Sequence, residues 1–228
     1  TEIALREAKK GDRAVYHKFA MNNLEDKNRS LFIERDLLEA LNSSEIEVHF
    51  QPKVSSETER VTGMEALIRW NHPKLGFVPP PDFVTIAERT GDIVQLGEFV
   101  INNSFKHLKK CQDMGFADIT ISVNVSPLHL LHTRFMSHLN EMAIQYGIDP
   151  CFVYLEITES VILQGDMVTH LQELQRLGFK LSLDDFGTGY SSLSYLRKFS
   201  FDELKIDKSF TDGLVRGRNE ITLFRTIL

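Results

Sequence analysis

FKLSLDDFGTGYSSLSYLRKFSFDELKID, residues 179–207, carries a strand, a loop, a helix and a second strand in one short span. Leu181 and Leu183 alternate with polar positions, and the run ends on two adjacent carboxylates, Asp184 and Asp185. Gly187 and Gly189 follow at once, where a sharp turn needs residues without a Cβ. YSSLSYLRKF then reads as a helix and FDELKID (201–207) as the next strand, with Lys205 facing opposite to Leu204 and Ile206. A strand, a covering helix and another strand make the unit of a parallel sheet.

The same rhythm extends towards the N-terminus. Strand-like runs occur at EVHFQP (47–52), RVTGMEALIRW (60–70), DITISVNVS (118–126) and FVYLEIT (152–158). One long helical pattern fills 82–115, another 127–147 and a third 166–178; each stops at a glycine, Gly115, Gly147 or Gly178, as a helix C-cap does. SLFIERDLLEAL, from Ser30, shows an apolar stripe of Leu31, Ile33, Leu37, Leu38 and Leu41. Six strands with a further helix starting near Asn219 predict a TIM-like eight-fold β/α barrel whose last strands lie beyond Leu228. A doubly wound open sheet is the competing architecture. The first 22 residues read separately, as a helix to Gly11 and a short strand, and MNNLEDKNRS reads as a linker or helix start.

Composition narrows the function. The 228 residues are 42% hydrophobic, enough for a substantial core. The net charge of −6, from 26 basic and 32 acidic side chains, argues against a groove for a nucleic-acid polymer. It leaves room for a small anion, because a bound metal reverses the local field. Cys111 and Cys151 have no CxxC spacing and read as plain thiols of a reducing compartment. There is no signal peptide and no apolar run of about 18 residues, so the expected location is the cytoplasm. Thr1 is not Met, so the sequence is read as part of a longer chain that has room upstream for a membrane anchor.

Polar residues recur at or near the C-terminal ends of the strands: Gln51, Glu65, Asn124, Glu156, Asp184 with Asp185, and Lys205. In a β/α barrel those ends share one rim, where reacting groups gather. Carboxylates and an amide, without Cys or His, suit Mg²⁺ or Mn²⁺ rather than zinc. So many anions converge only around cations, since their repulsion would otherwise raise their pKa values. Two ions would clamp a phosphoryl centre and activate water, with Lys205 orienting that water or neutralising charge. Singly, Asn124 and Asp185 read as turn formers or helix caps, and Lys205 as a surface lysine; Glu65 could merely pair with Arg69 or Lys205. Six segments sharing one placement favour the functional reading. No HExxH occurs, and His129 and His132 on one helix face read as ordinary decoration.

GMEALIRW (63–70), SVNVS (122–126), LEITES (155–160), LDDFGTGYSSLSYL (183–196) and LKIDKSF (204–210) together resemble the EAL-domain phosphodiesterases that hydrolyse cyclic di-GMP. The resemblance runs from about residue 32 to 228. It implies that Glu65, Asn124, Glu156, Asp184 and Asp185 ligate divalent metals, and that Lys205 stands beside the attacking water. By the same resemblance Gln51, Leu67 and Arg69 contact the dinucleotide, and Glu159 braces the loop from Asp184 to Tyr190. That loop and the helix after it would form a homodimer interface. Residues 1–22 are similar to the end of a GGDEF domain, 23–31 to a linker, and 32–228 to an EAL domain without its last strands. The family's later EGVE-like and QG-like motifs would follow Leu228, NVSPLHL departs from the usual NVSxxQ, and HFQP replaces the commoner YQP. The expected activity is hydrolysis to linear pGpG; a non-hydrolytic receptor and a structural scaffold are the alternatives.

Overall fold

A computed structural model describes residues 21–159, 167–186 and 200–208, with side chains from Lys27 onward. Helix α1 (Met21–Leu41) leads into a hairpin of β1 (Ile46–Val54) and β2 (Val61–His72), which a short β3 (Gly76–Val78) extends. Helices α2 (Pro80–Thr90) and α3 (Ile93–Asp113) precede β4 (Thr120–Asn124). Next come α4 (Pro127–Leu130), α5 (Phe135–Tyr146), β5 (Val153–Thr158), α6 (Met167–Arg176), β6 (Lys180–Phe186) and β7 (Glu203–Ile206). No helix among the described residues is long and apolar enough to cross a membrane. The N-terminal 20 residues, the 187–199 loop and helix, and the helix near Asn219 lie outside the described residues.

The strand order is β1-β2-β4-β5-β6-β7, with β3 on the side of β2, and every pairing from β2 to β7 along this path is parallel. This is an α/β fold with a parallel sheet and covering helices. The path is open among the described residues, with β1 and β7 at its ends. Strict strand–helix alternation fails at the start, where β1 runs antiparallel to β2. Residues 55–60 join the two strands, too few for a crossover helix but enough for a hairpin.

The helical pattern over 82–115 is two helices, because Gly91 takes φ 89° and caps α2 before α3 begins. Likewise 127–147 divides into α4 and α5, while Gly115, Gly147 and Gly178 all take the left-handed conformation expected of helix caps. The stripe of α1 is also narrower than its sequence suggests. Ile33, Leu37 and Ala40 are buried, whereas Leu31 is 63% exposed. These three pack with Trp70, Val78, Phe83, Ile86 and Leu96. Two side-chain bonds fix the same corner: Trp70 Nε1 donates to Glu45 at 3.2 Å, and His72 Nε2 meets Asp36 at 3.1 Å.

The larger core lies between the sheet and its helices. Ile121, Val123, Leu155, Ile157, Leu181 and Leu183 meet Phe105 and Leu108 of α3, Leu139 of α5, and Leu171 and Leu174 of α6. These strand positions alternate along each chain, so the residues between them point to the opposite face. That face carries polar side chains, and it holds the candidate site.

Candidate functional site on the inner face of the sheet

Period-two alternation puts Lys53, Gln51, Glu65, Ser122, Asn124, Glu156, Ser182, Asp184, Glu203 and Lys205 on the face turned away from the helices. Register then sets their heights. Glu65 pairs with Ser122, Asn124 with Glu156, Glu156 with Ser182, and Thr158 with Asp184. Gln51 reaches this level differently from the expectation of a shared rim. It lies opposite Glu65 because β1 is antiparallel, and Glu65 itself sits inside a long strand that continues to pair with β3.

Lys205 is the centre of the cluster. Its Nζ donates to Glu156 Oε2 at 2.7 Å, Glu65 Oε2 at 3.1 Å and Asp184 Oδ2 at 3.3 Å. Asn124 Nδ2 donates to the other oxygen of Glu65 at 3.1 Å. Three carboxylates and an amide from four strands thus meet around one ammonium. Burial alone would lower the Lys205 pKa, but the Glu156 hydrogen bond and the charges of Glu156, Glu65 and Asp184 outweigh it and hold it above the ordinary lysine range. Burial pushes the Glu156 carboxyl upward; Lys205 opposes this and the Glu65 charge adds to it.

Glu156 has no exposed side-chain surface, and its second oxygen is also engaged. Lys53 Nζ donates to Glu156 Oε1 at 3.2 Å, Glu203 Oε1 at 2.7 Å and Ser122 Oγ at 2.6 Å. Ser182 Oγ donates to the same Glu203 oxygen at 3.0 Å. None of Lys53, Ser122, Ser182 or Glu203 was singled out from the sequence. The signal existed, however: Ser122, Ser182 and Glu203 each precede a site residue by two positions, and Lys53 follows Gln51 by two. Residues two apart on a strand share a face.

Adjacent strand residues point to opposite faces, so Asp184 and Asp185 should diverge. A local irregularity interrupts the alternation here. The β6–β7 register shifts between Leu183 and Phe186, and Asp185 takes φ 54°, a left-handed conformation that Asp tolerates better than most residues. Its backbone N–H donates to Asp184 Oδ1 at 3.0 Å. Burial raises the Asp185 carboxyl above its usual range, and the charges of Asp184, Asp207 and Glu159 raise it further against Lys205. The charges of Asp184 and Lys205 thus both reach Asp185. Glu159, just beyond β5, is half-buried and near enough for its charge to act on Asp185. Of the Asp184–Tyr190 loop, residues 187–190 lie outside those described.

Leu67 and Arg69 continue the Glu65 face up β2, opposite His49 and Glu47. Both are half-buried, and Arg69 Nη1 donates to the carbonyl of Ile68 at 2.8 Å. His129 is not surface decoration. It is 3% exposed, its ring meets Phe135 edge-on at 4.7 Å, and burial lowers its pKa to about 4. It belongs to the helical layer and not to the site.

Acidic and polar side chains thus gather on one face of a largely parallel α/β sheet, around Lys205. The comparison with known families is specific. The chain belongs to the EAL domain family, whose model matches residues 34–228. It is 34% identical to the bifunctional diguanylate cyclase/cyclic di-GMP phosphodiesterase MucR of Pseudomonas aeruginosa, over the whole of this chain and 33% of that protein. It is 32% identical to the cyclic di-GMP phosphodiesterase PdeR of Escherichia coli, over the whole of this chain and 34% of that protein. The chain therefore spans about a third of the length of these curated relatives. Among solved structures, the PaMucR phosphodiesterase in complex with c-di-GMP superposes with a TM-score of 0.79 at 36% identity, covering 84% of this chain and 78% of that one.

Proposed function

We propose that this chain binds cyclic di-GMP and hydrolyses one of its 3′,5′-phosphodiester bonds to give linear pGpG, with Mg²⁺ or Mn²⁺ bound, two ions in all. The observation that carries this reading is the meeting of Glu65, Glu156 and Asp184 around Lys205, on strands of an EAL domain. The donor set fits a hard divalent cation: carboxylate and amide oxygens, without sulfur or imidazole. As arranged, no three His, Cys, Asp or Glu side chains among the described residues form a ready ion cage. The Lys205 ammonium stands between the carboxylates instead, and balances part of the charge that ions would balance.

Glu65, Asn124, Glu156, Asp184 and Asp185 would hold the ions, which when bound polarise the phosphodiester and make water a better nucleophile. The irregularity at Asp185 would let β6 offer a second carboxylate beside Asp184. Lys205, released from some of its present contacts, orients the attacking water and offsets charge at the phosphoryl oxygens. Arg69 donates to a phosphate of the dinucleotide, while Gln51 and Leu67 line its path. One P–O3′ bond breaks, the water oxygen joins phosphorus, and the 3′ oxygen leaves with a proton. Glu159 steadies the loop that begins at Asp184.

On this reading residues 32–228 act as the EAL domain in the cytoplasm, preceded by a GGDEF remnant (1–22) and a linker (23–31). The homodimer would form through the Asp184–Tyr190 loop and the helix after it. The test is turnover by the protein with Mg²⁺ or Mn²⁺, compared with Ca²⁺. We expect pGpG with the first two and little with the larger ion. Equal turnover with Ca²⁺ contradicts the metal account, and tight binding without pGpG makes the domain a receptor.

A further inference from the structure

Glu156 is held from two sides by two different lysines. Lys205 takes Oε2 together with Glu65 and Asp184, whereas Lys53 takes Oε1 together with Ser122 and Glu203. The two ammonium groups have different neighbours. Those of Lys205 are proposed metal ligands, so ion binding must loosen them. Those of Lys53, apart from Glu156, are Ser122 and Glu203, which have no place in the proposed ion or substrate shell. Lys53 is also firmly seated. Its contact with Ser122 is 2.6 Å and that with Glu203 is 2.7 Å; Ser182 fixes the same Glu203 oxygen, and the ammonium lies 5.9 Å from the Tyr154 ring centre. It enters from β1, opposite Gly63, where an added Cβ would collide with Thr120.

We infer that Lys53 is a positioning residue for the metal site: by holding Oε1 of Glu156 from below, it fixes the carboxylate so that Oε2 faces Glu65, Asp184 and the ions. The inference rests on the metal-dependent reading above. A glutamate has three rotatable bonds, and a ligand left to rotate must be ordered at each ion encounter. A partner with its own anchors removes that freedom in advance, as groups that hydrogen-bond metal ligands generally do. Lys53 touches neither the proposed ions nor the phosphodiester, so its loss should appear in ion affinity before it appears in the chemical step.

The test is titration of the protein with Mn²⁺ alone, by calorimetry or by loss of the free-ion magnetic resonance signal, without nucleotide. Lys53→Met keeps the stem and removes the ammonium. It should weaken Mn²⁺ binding about 10- to 100-fold, the usual range for partners of metal ligands. At saturating Mn²⁺, kcat should return to within a few-fold of the parent, with KM for cyclic di-GMP unchanged. Should Lys53→Met not fold, Ser122→Ala removes the shortest anchor of Lys53 and should weaken Mn²⁺ by a few-fold without changing Tm. A variant with a lower Tm but parental Mn²⁺ affinity makes Lys53 a structural bridge only and overturns the inference. A folded variant with unchanged Tm and unchanged Mn²⁺ affinity overturns it equally. If the parent binds no Mn²⁺, the metal reading falls and the inference with it; if the parent binds and Lys53→Met binds as tightly, the inference alone falls.

Discussion

Replacing Lys205 by Met should destabilise the metal-free protein and make it depend more on metal. The ammonium makes contacts of 2.7, 3.1 and 3.3 Å with three carboxylates, and its side chain is 24% exposed. Removing one partner of a buried ion pair costs about 3–5 kcal/mol, because the other charge stays behind. Partial exposure places Lys205 at the lower end, about 3 kcal/mol, with Met preserving most of the stem packing. For a domain of this size each kcal/mol moves Tm by about 2–4 °C, so the expected fall is about 6–12 °C. Mn²⁺ should then stabilise the variant more than the parent, since no ammonium competes for the carboxylates. At about 100 times Kd the gain is about 2.7 kcal/mol, nearly the whole deficit. Hydrolysis should stay low if Lys205 orients the attacking water as proposed. Circular dichroism melts with and without MnCl₂ measure both shifts in Tm, and chromatography of the nucleotides measures turnover. A Lys205→Met protein that melts within about 2 °C of the parent without metal, and gains no more from Mn²⁺, would refute the idea that Lys205 offsets the charge of the carboxylate cluster.

Gly97→Ala in α3 should destabilise by about 1–3 kcal/mol, seen by urea denaturation, because the new Cβ would overlap the buried His129 ring; without that overlap the exchange would gain up to about 1 kcal/mol of helix propensity. His129 itself predicts a pH dependence. Its folded pKa of about 4 lies below the ordinary value of 6.5, so the unfolded chain binds more protons in that window and stability falls as pH drops through it, by up to about 3 kcal/mol. His129→Leu should flatten denaturation midpoints measured between these pH values. Asp185→Asn should keep Tm near the parent, since Asn also accepts φ 54° and a carboxyl already raised by burial is lost, yet turnover should fall at least tenfold if Asp185 holds an ion.

Much of this architecture is written in period two. ISVN, VYLEI, KLSLD and ELKI alternate apolar and polar, and the structure sends the apolar set to the helices and the polar set inward. The same alternation brought Glu65, Asn124, Glu156, Asp184 and Lys205 together as the sequence suggests. Other features depend on geometry that no local pattern encodes. The antiparallel start is one, because only the brevity of residues 55–60 hints at a hairpin. Lys53 is another, since β1 runs antiparallel to β2 at the edge of the parallel strands, and its long side chain reaches Glu156 on β5. The irregularity at Asp185 is a third: two adjacent aspartates look alike in sequence, and nothing local announces the positive φ that Asp185 takes. His129 looked like decoration because burial of a helical histidine depends on Gly97 across the layer, not on its own neighbours in sequence.

The most direct test of the central claim is a reaction of cyclic di-GMP with the metal-loaded protein in ¹⁸O-labelled water, with products resolved by mass spectrometry. The account predicts pGpG carrying one labelled oxygen on its terminal phosphate, no product after chelation, and none from Glu65→Gln under the same conditions. Cyclic di-GMP recovered intact from a protein that binds it and the metal would contradict the account.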